Sequence, residues 1–230
     1  MVDSDQPEVG AIIVAAGKSR RMSGTDKIFA PLAGQPVLCR ALQPFIDSLS
    51  IDRIVVVLSN RNYDEGKELI AAQNWEKEVA VCIGGRRRQD SVRAGLNLLG
   101  DCDLVLIHDA ARPLVTMGLI ENGLEAVKET GAAIAAVPAI DTIKTADKKM
   151  IVSQTLPRDN LWLCQTPQVF FYDLLIKAYH DVTAEVTDDG QIVELAAGKV
   201  KLYPGSYDNI KITTPADLAM AEMLWKRRES

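Results

Sequence analysis

The sequence predicts an α/β protein built on a mostly parallel sheet. Apolar runs that are continuous rather than alternating recur along its 230 residues, and segments with helical spacing of apolar residues separate them. Continuous runs are typical of strands buried on both faces, and their alternation with helices indicates βαβ units. Loops rich in glycine and cations follow several of the runs. Because ligands of such sheets bind beyond the carboxyl ends of the strands, these loops form the candidate site.

Five apolar runs are predicted as strands, and the segments between them as helices. The strands cover residues 9–16, 53–59, 78–85, 103–111 and 131–139. The helices follow Pro36 and cover about 64–73, 89–99 and 117–130, with an amphipathic helix at 215–228. Pro36 fits the first turn of its helix, and Thr214 is the predicted N-cap of the last one.

Residues 140–160 interrupt this pattern. Ile143 and Thr145 alternate before the polar turn "ADKK", and Ile151 and Ser153 alternate after it. This predicts a β-hairpin that is too polar for a core. Such an arm is either a lid or a dimerisation element.

Composition excludes several classes of function. The chain is 47% apolar and 25% charged, with a net charge of −5, which argues against a non-specific nucleic-acid binder. Four cysteines without a C-x-x-C pair and only two histidines argue against a protein-held metal site and predict free buried thiols. The acidic N-terminus has no apolar h-region, and no apolar stretch reaches about 18 residues, so we expect a soluble cytoplasmic protein without a membrane partner.

The first loop, "AAGKSRRM" at residues 15–22, excludes two familiar phosphate motifs. Gly17, Lys18 and Ser19 match the end of a P-loop, but position 12 is isoleucine instead of glycine. The dinucleotide pattern fails because no glycine follows Gly17 until Gly24. A strand-end glycine followed by several cations still favours a polyphosphate site.

Two later loops carry similar chemistry. "GGRRRQDSV" at 84–92 combines two glycines with a helix start, and at least one of its three arginines is expected to be a plain surface charge. "LVLIHDAARP" at 104–113 places Asp109 at a strand end, where it can hold a divalent ion or a sugar hydroxyl. His108 is either structural or a ligand contact. Polar groups also mark strand ends at 141–144, 158, 166–168, 187–189 and 208–211.

The residue inventory indicates phosphoryl or nucleotidyl transfer. No Ser-His-Asp or Cys-His pair is credible, and what remains is cations, glycines and one or two carboxylates. Such a site positions the reactants and neutralises developing charge without a covalent intermediate.

These motifs resemble one family over nearly the whole chain. "AAGKSRRM" with Lys27, "GGRRRQDSV", "HDAARP", "AIDTIK", "LPRDNLW", "QTPQVF", "VTDDGQIVE" and "DNIKITTPADLAMAE" are similar, in order and spacing, to the 2-C-methyl-D-erythritol 4-phosphate cytidylyltransferases. The resemblance implies a Rossmann-like three-layer α/β sandwich with a mostly parallel mixed sheet and a protruding β-arm used for dimerisation. It implies a single nucleotidyltransferase domain over residues 1–230, with about 140–160 as the arm.

The resemblance also implies the reaction and its residues. CTP and methylerythritol phosphate would give the CDP-alcohol and pyrophosphate, with Mg²⁺ bound mainly through the triphosphate, in a homodimer whose arm reaches the partner's site. The catalytic residues would be Arg21, Lys27, Arg158 and Lys211. The CTP contacts would be Ala15, Ala16, Gly17, Gly85, Arg86, Ser91 and Ala110. The substrate contacts would be Asp109, Arg112, Thr142, Thr166 and Thr187.

Three alternatives remain at this stage. A ribitol 5-phosphate cytidylyltransferase shares most of the motifs. Sugar-nucleotide or molybdenum-cofactor nucleotidyltransferases share the first loop but lack "HDAARP". A catalytically inactive binding protein on the same scaffold would have no need of all four catalytic cations.

Overall fold

The computed structural model describes residues 7–17 and 26–229. Its strands are β1 (Val9–Ala15), β2 (Pro31–Leu32), β3 (Gln35–Pro36), β4 (Arg53–Leu58), β5 (Val79–Ile83), β6 (Leu104–Asp109), β7 (Ala132–Pro138), β8 (Lys144–Ala146), β9 (Val152–Thr155), β10 (Trp162–Phe171) and β11 (Lys201–Pro204). Its helices are α1 (Val37–Asp47), α2 (Tyr63–Ala71), α3 (Arg88–Leu99), α4 (Met117–Ala126), α5 (Tyr172–Asp181), α6 (Asp189–Leu195) and α7 (Pro215–Glu229). Short 3-10 turns cover Val127–Glu129 and Arg158–Asn160.

A seven-stranded sheet in the order β11-β7-β10-β6-β1-β4-β5 forms the centre of the fold. β10 runs antiparallel to both of its neighbours, and the other pairs are parallel. This confirms the predicted mostly parallel mixed sheet. The five predicted strands are β1, β4, β5, β6 and β7, whereas β10 and β11 were not predicted.

Helices cover both faces of the sheet. Neighbouring residues of β1 point to opposite faces, so Ile13 packs with the residues of α1 and α4, and Ile12 packs with those of α3, α5 and α6. Each face therefore has its own apolar core, and the chain is the predicted three-layer sandwich. A close approach fixes α3 on the sheet, because a Cβ at Gly95 would lie 2.7 Å from Ile12 Cγ2 and 2.9 Å from Val57 Cγ2.

Two helix boundaries differ from the prediction. Pro36 does not lie in the first turn of α1 but ends the two-residue strand β3 directly before it. The helix predicted to reach residue 130 stops at Ala126 and continues as a 3-10 turn. The four cysteines are free as expected, but only Cys39 is buried, whereas Cys82 and Cys102 are half-buried and Cys164 is exposed.

The predicted arm forms a separate two-stranded antiparallel sheet of β8 and β9. Asp147 closes its turn, because its Oδ1 accepts hydrogen bonds from the backbone N–H groups of Lys149 and Ile151 at 2.8 and 2.9 Å. Met150, next to this turn, adopts a positive φ of 64°. Every residue of both strands is exposed.

The last helix, α7, is joined to the site by a small third core of Leu32, Val37, Leu114, Ile212, Ala221 and Leu224. Thr214 caps it as predicted, with its Oγ1 accepting from the backbone N–H of Asp217 at 3.4 Å. Within the described ranges, no helix combines the length and apolar character that crossing a bilayer requires.

Candidate active site

A cavity of about 430 Å³ opens where β1, β5 and β6 end. The loops that follow parallel strands lie together at the edge formed by the carboxyl ends of those strands. Three loops that are far apart in sequence therefore meet here. The described residues around the cavity are Val14, Ala15, Ala16, Gly17, Lys27, Ile28, Gly85, Arg86, Arg87, Arg88, Ser91, Asp109, Ala111 and Lys211. Five of these carry a positive charge and one is a carboxylate, which is a lining suited to a polyanion.

The first loop contributes Ala15, Ala16 and Gly17, three of the predicted CTP contacts, to the cavity lining. Arg21, the first predicted catalytic residue, lies outside the described residues, as do Lys18, Ser19 and Arg20. On the far side of that segment, Asp26 accepts a hydrogen bond from the buried Asn62 side chain at 3.1 Å. The chain is therefore held to α2 where it re-enters the described structure.

Lys27 reaches the cavity beside the segment that carries Lys211. Its Nζ donates to the backbone carbonyl of Ile212 at 3.0 Å. Ile212 is fully buried in the small core under α7, so this acceptor is rigidly placed. Packing of the C-terminal helix thus brings together two predicted catalytic cations that are far apart in sequence.

The loop at residues 84–92, here called the second loop, forms the opposite wall of the cavity and packs closely against the first loop. Ser91 Oγ accepts from the backbone N–H of Gly85 at 3.2 Å and donates to the carbonyl of Arg87 at 3.2 Å. A Cβ at Gly84 would lie 2.6 Å from Ser91 Oγ and 2.9 Å from Ala16 Cβ. Only glycine leaves room for this contact, which places both predicted CTP-binding loops against each other.

The three consecutive arginines have different roles. Arg86, a predicted CTP contact, is exposed and lines the cavity. Arg87 pairs with Asp90 at 2.6 Å at the start of α3, and this hydrogen-bonded pair lowers the pKa of the Asp90 carboxyl. Arg88, which the sequence did not single out, contacts two acidic side chains: Nη1 lies 2.5 Å from Asp189 Oδ2, and Nε lies 3.4 Å from Asp109 Oδ1.

Asp109 lies at the centre of the charge network. Its Oδ2 accepts from Lys211 Nζ at 2.6 Å, while Arg88 approaches its other oxygen. Burial by itself would raise the pKa of this carboxyl, but the nearby cations, Arg88 first and then Lys211, hold it well below its usual range. Asp109 is therefore a carboxylate at physiological pH.

A hydrogen-bonded chain behind the cavity fixes the end of β6. Thr166 Oγ1 accepts from the backbone N–H of Asp109 at 3.1 Å and lies 3.0 Å from His108 Nδ1. His108 Nε2 lies 3.0 Å from the carbonyl of Arg112. Since that carbonyl can only accept, Nε2 carries the proton and Nδ1 accepts from the Thr166 hydroxyl. Burial lowers the pKa of His108 to about 4, so this histidine is neutral and structural.

The remaining predicted residues do not line this cavity. Ala110 is buried and donates its N–H to the Val14 carbonyl at 3.0 Å. Arg112 donates to the carbonyl of Asn209 at 2.6 Å, and Thr166 lies in the chain behind Asp109.

Three of the predicted residues outside the cavity, Thr142, Arg158 and Thr187, are exposed. Thr142 lies at the base of the arm, and Arg158 Nη1 donates to the carbonyl of Ile140 at 2.7 Å. Thr187 bonds to the side chain of Gln191 at the start of α6. One chain therefore brings six of the seven predicted CTP contacts, all but Ala110, together with Lys27, Lys211 and Asp109, but not the predicted residues of the arm.

Comparison with known proteins gives the family. The family model described as 2-C-methyl-D-erythritol 4-phosphate cytidylyltransferase matches residues 9–227. The chain belongs to this family. A cytidylyltransferase of that name from Dehalococcoides mccartyi is 53% identical over 220 residues, covering 96% of this chain and 97% of the relative. One from Alkaliphilus oremlandii is 44% identical and covers 96% of each.

Solved structures agree with the cytidylyltransferase assignment. The crystal structure of 4-diphosphocytidyl-2C-methyl-D-erythritol synthase from Anaerococcus prevotii superimposes with a TM-score of 0.84 at 32% identity, covering 95% of this chain and 98% of that one. The enzyme from Thermus thermophilus gives a TM-score of 0.76 at 32% identity, covering 95% and 99%. The chain is therefore a nucleotidyltransferase, and the family match favours methylerythritol phosphate over ribitol 5-phosphate as its second substrate.

Sequence reasoning missed Arg88, Asp189 and Tyr179, which form a network of contacts that reaches Asp109. A signal for Arg88 was present, because this residue directly precedes the helix predicted at 89–99 and follows the double glycine. Asp189 belongs to the polar group that was noted at 187–189, but no pattern distinguishes it from Asp188, which is half-buried. Tyr179 reads as an ordinary core residue of α5.

Proposed function

We propose that the chain transfers CMP from CTP to 2-C-methyl-D-erythritol 4-phosphate by in-line displacement. A phosphate oxygen of the alcohol phosphate forms a bond to the α-phosphorus of CTP. The bond from that phosphorus to the α,β-bridging oxygen breaks, and pyrophosphate leaves with the electron pair. The observation that carries the proposal is that one cavity at the strand ends is lined by Asp109 together with the cations Lys27, Lys211 and Arg86.

The proposed CTP end is the cleft between the first and second loops. Ala15, Ala16 and Gly17 lie on one side, and Gly85, Arg86 and Ser91 on the other. The contact at Gly84 sets the width of this cleft. Backbone groups and the Ser91 hydroxyl have the fixed positions needed to read a base edge, and the cations suit the triphosphate.

The proposed catalytic cations act on developing negative charge. Lys27, together with Arg21, stabilises the pentavalent transition state, and Lys211, together with Arg158, holds the phosphate of the attacking alcohol phosphate. Two phosphate groups repel each other, so their approach needs fixed positive charges around both. Asp109, Arg112, Thr142, Thr166 and Thr187 are proposed to bind the rest of the methylerythritol phosphate.

Magnesium is proposed to enter with the nucleotide. Among residues 7–17 and 26–229, no group of three or more His, Cys, Asp or Glu side chains could hold a metal ion. Asp109 is the one acidic side chain among the described residues of the cavity lining. Mg²⁺ commonly keeps waters and binds through substrate phosphates with one or two carboxylates, and this donor set fits that mode. When bound, the ion supplies charge neutralisation on the triphosphate.

A homodimer joined through the arm is proposed to complete the site. Arg158 and Thr142 are exposed and lie outside their own cavity. The arm also exposes apolar side chains, with Met150, Ile151 and Val152 at 83%, 63% and 53% exposure. A partner chain would cover these side chains and receive the arm residues at its own cavity.

Pyrophosphate release tests the proposed reaction. With methylerythritol phosphate present, CTP should support release, and ATP, GTP and UTP should support little. Replacing the alcohol phosphate with ribitol 5-phosphate should stop turnover. Turnover with ribitol 5-phosphate alone would refute the substrate assignment.

A further inference from the structure

Asp189 is a fully buried carboxylate whose two oxygens are both engaged. Oδ2 accepts from Arg88 Nη1 at 2.5 Å, and Oδ1 accepts from the Tyr179 hydroxyl at 2.6 Å. Its side chain is 1% exposed, and it does not line the cavity. Both hydrogen bonds come from the other elements on this face of the sheet, α3 and α5.

The backbone of Asp189 is fixed as firmly as its side chain. Gln168, buried in β10, accepts from the backbone N–H groups of Asp189 and Gly190 at 3.1 and 3.3 Å through its Oε1. A Cβ at Gly190 would lie 2.1 Å from Ile134 Cδ1, so the start of α6 lies tightly against the sheet. Asp189 is therefore a rigid anchor within the core.

Arg88 connects this anchor to the cavity. Its guanidinium contacts Asp189 through Nη1 and Asp109 through Nε, and Asp109 in turn contacts Lys211. An arginine fork can hold two acceptors in fixed relative positions. A continuous series of side-chain contacts thus leads from the core to the cavity, in the order Tyr179, Asp189, Arg88, Asp109 and Lys211.

Stability alone does not account for the buried pair. Burying an ion pair costs desolvation energy, and apolar side chains of similar size in its place often give a fold that is equally stable. The pair provides charge balance, because the Asp189 carboxylate neutralises much of the positive charge of Arg88. Without it, Arg88 would compete with Lys211 for the Asp109 carboxylate.

We propose that Asp189 is a positioning residue for cytidylyl transfer, which acts through Arg88 to hold the Asp109 carboxylate in the orientation that pairs with Lys211. The inference rests on the proposed roles of Asp109 and Lys211 in binding the alcohol phosphate.

Asp189→Asn tests the proposal, because it removes the charge and keeps the size. We expect kcat/KM for methylerythritol phosphate to fall about tenfold, with a KM for CTP that changes less than about threefold. Tyr179→Phe removes only the second hydrogen bond, and we expect a fall of about two- to threefold in the same constant. Asp181→Asn, on the exposed end of α5 beside His180, is the matched control and should leave both constants unchanged.

A double-mutant cycle separates positioning from a general structural role. If Asp189 acts through Asp109, adding Asp189→Asn to Asp109→Asn should change kcat/KM by less than about twofold. If the two effects multiply, or if the KM for CTP rises in parallel with that for the alcohol phosphate, the positioning role is refuted. Should Asp189→Asn not fold, Tyr179→Phe takes its place in the cycle, since it keeps the ion pair.

The same double-mutant cycle distinguishes failure of the proposed role of Asp109 from failure of the positioning role of Asp189. An Asp109→Asn enzyme with full activity would refute the proposed role of Asp109, and the positioning role with it. An impaired Asp109→Asn enzyme with a multiplicative Asp189→Asn effect would refute the positioning role alone.

Discussion

Lys211 donates from Nζ to Asp109 Oδ2 at 2.6 Å, although 102 positions separate the two residues in sequence. The cation proposed to hold the substrate phosphate is therefore paired with a carboxylate in this structure. The Lys211 ammonium has three N–H donors, so the proposed substrate phosphate can bind it while the contact with Asp109 is kept. The Asp109 carboxylate also retains lone pairs that can accept a substrate hydroxyl.

Replacing Lys211 with glutamine should lower kcat/KM for methylerythritol phosphate by about 10²–10³, the usual cost of one preorganised charge donor. Steady-state kinetics with CTP held at saturation measure the effect. Lys201→Gln is the matched control, since its ammonium pairs with Glu129 on the surface of the edge strand β11. Loss of activity in both variants would contradict a specific role for Lys211.

Lys27→Gln should lower kcat by about 10²–10³ and change the KM for either substrate far less, because its proposed charge acts on the transition state. Single-turnover measurements separate this effect from slow product release. Lys128→Gln, an exposed residue paired with Glu125, should match the unmodified enzyme. A Lys27 variant with raised KM and normal kcat would assign this residue to ground-state binding instead.

Mixing two inactive variants tests whether the arm serves the partner's site. A dimer of Lys27→Gln and Arg158→Ala chains would have one site with both defects and one intact site if the arm crosses over. Random exchange should then restore roughly a quarter of normal activity. No recovery, with dimers present by light scattering, would mean that each arm serves its own chain.

His108 should make stability depend on pH. Burial holds its folded pKa at about 4, whereas an unfolded histidine titrates near about 6.5, so protonation favours the unfolded chain between these values. Its contribution to stability is complete above pH ~6.5 and falls by about 1.4 kcal/mol per pH unit down to pH ~4. Urea unfolding of the unmodified chain and of His108→Gln across this range measures the difference. His180→Gln, at the exposed second histidine, should keep the full slope.

Gly84→Ala should raise the KM for CTP about tenfold, because the new methyl group would push Ser91 and Ala16 apart at the proposed base site. Gly118→Ala is the control. A Cβ there meets nothing within 4 Å, so this helix position should be neutral or slightly stabilised. An unchanged KM in Gly84→Ala would place the nucleotide elsewhere in the cavity.

Five of the seven strands of the sheet, the edge that carries the cavity and the loops that line it could be predicted from the sequence. Periodicity reports how a local segment is buried, so β1, β4, β5, β6 and β7 were all predicted. It failed for β10, because Gln165, Thr166 and Gln168 interrupt its apolar pattern. Those side chains are buried in spite of their polarity, since they bond to β6, α6 and the segment before α7.

The partners of the charged side chains could not be predicted from the sequence, because they come together only when the chain folds. Three consecutive arginines look alike in the sequence, yet Arg87 pairs with a helix neighbour, whereas Arg88 joins Asp189 and Asp109. The partner that distinguishes Arg88 lies 101 positions away. Whether a charged side chain is solvated, paired or available for a substrate depends on the groups that folding places beside it. The residues next to it in the sequence do not specify those groups.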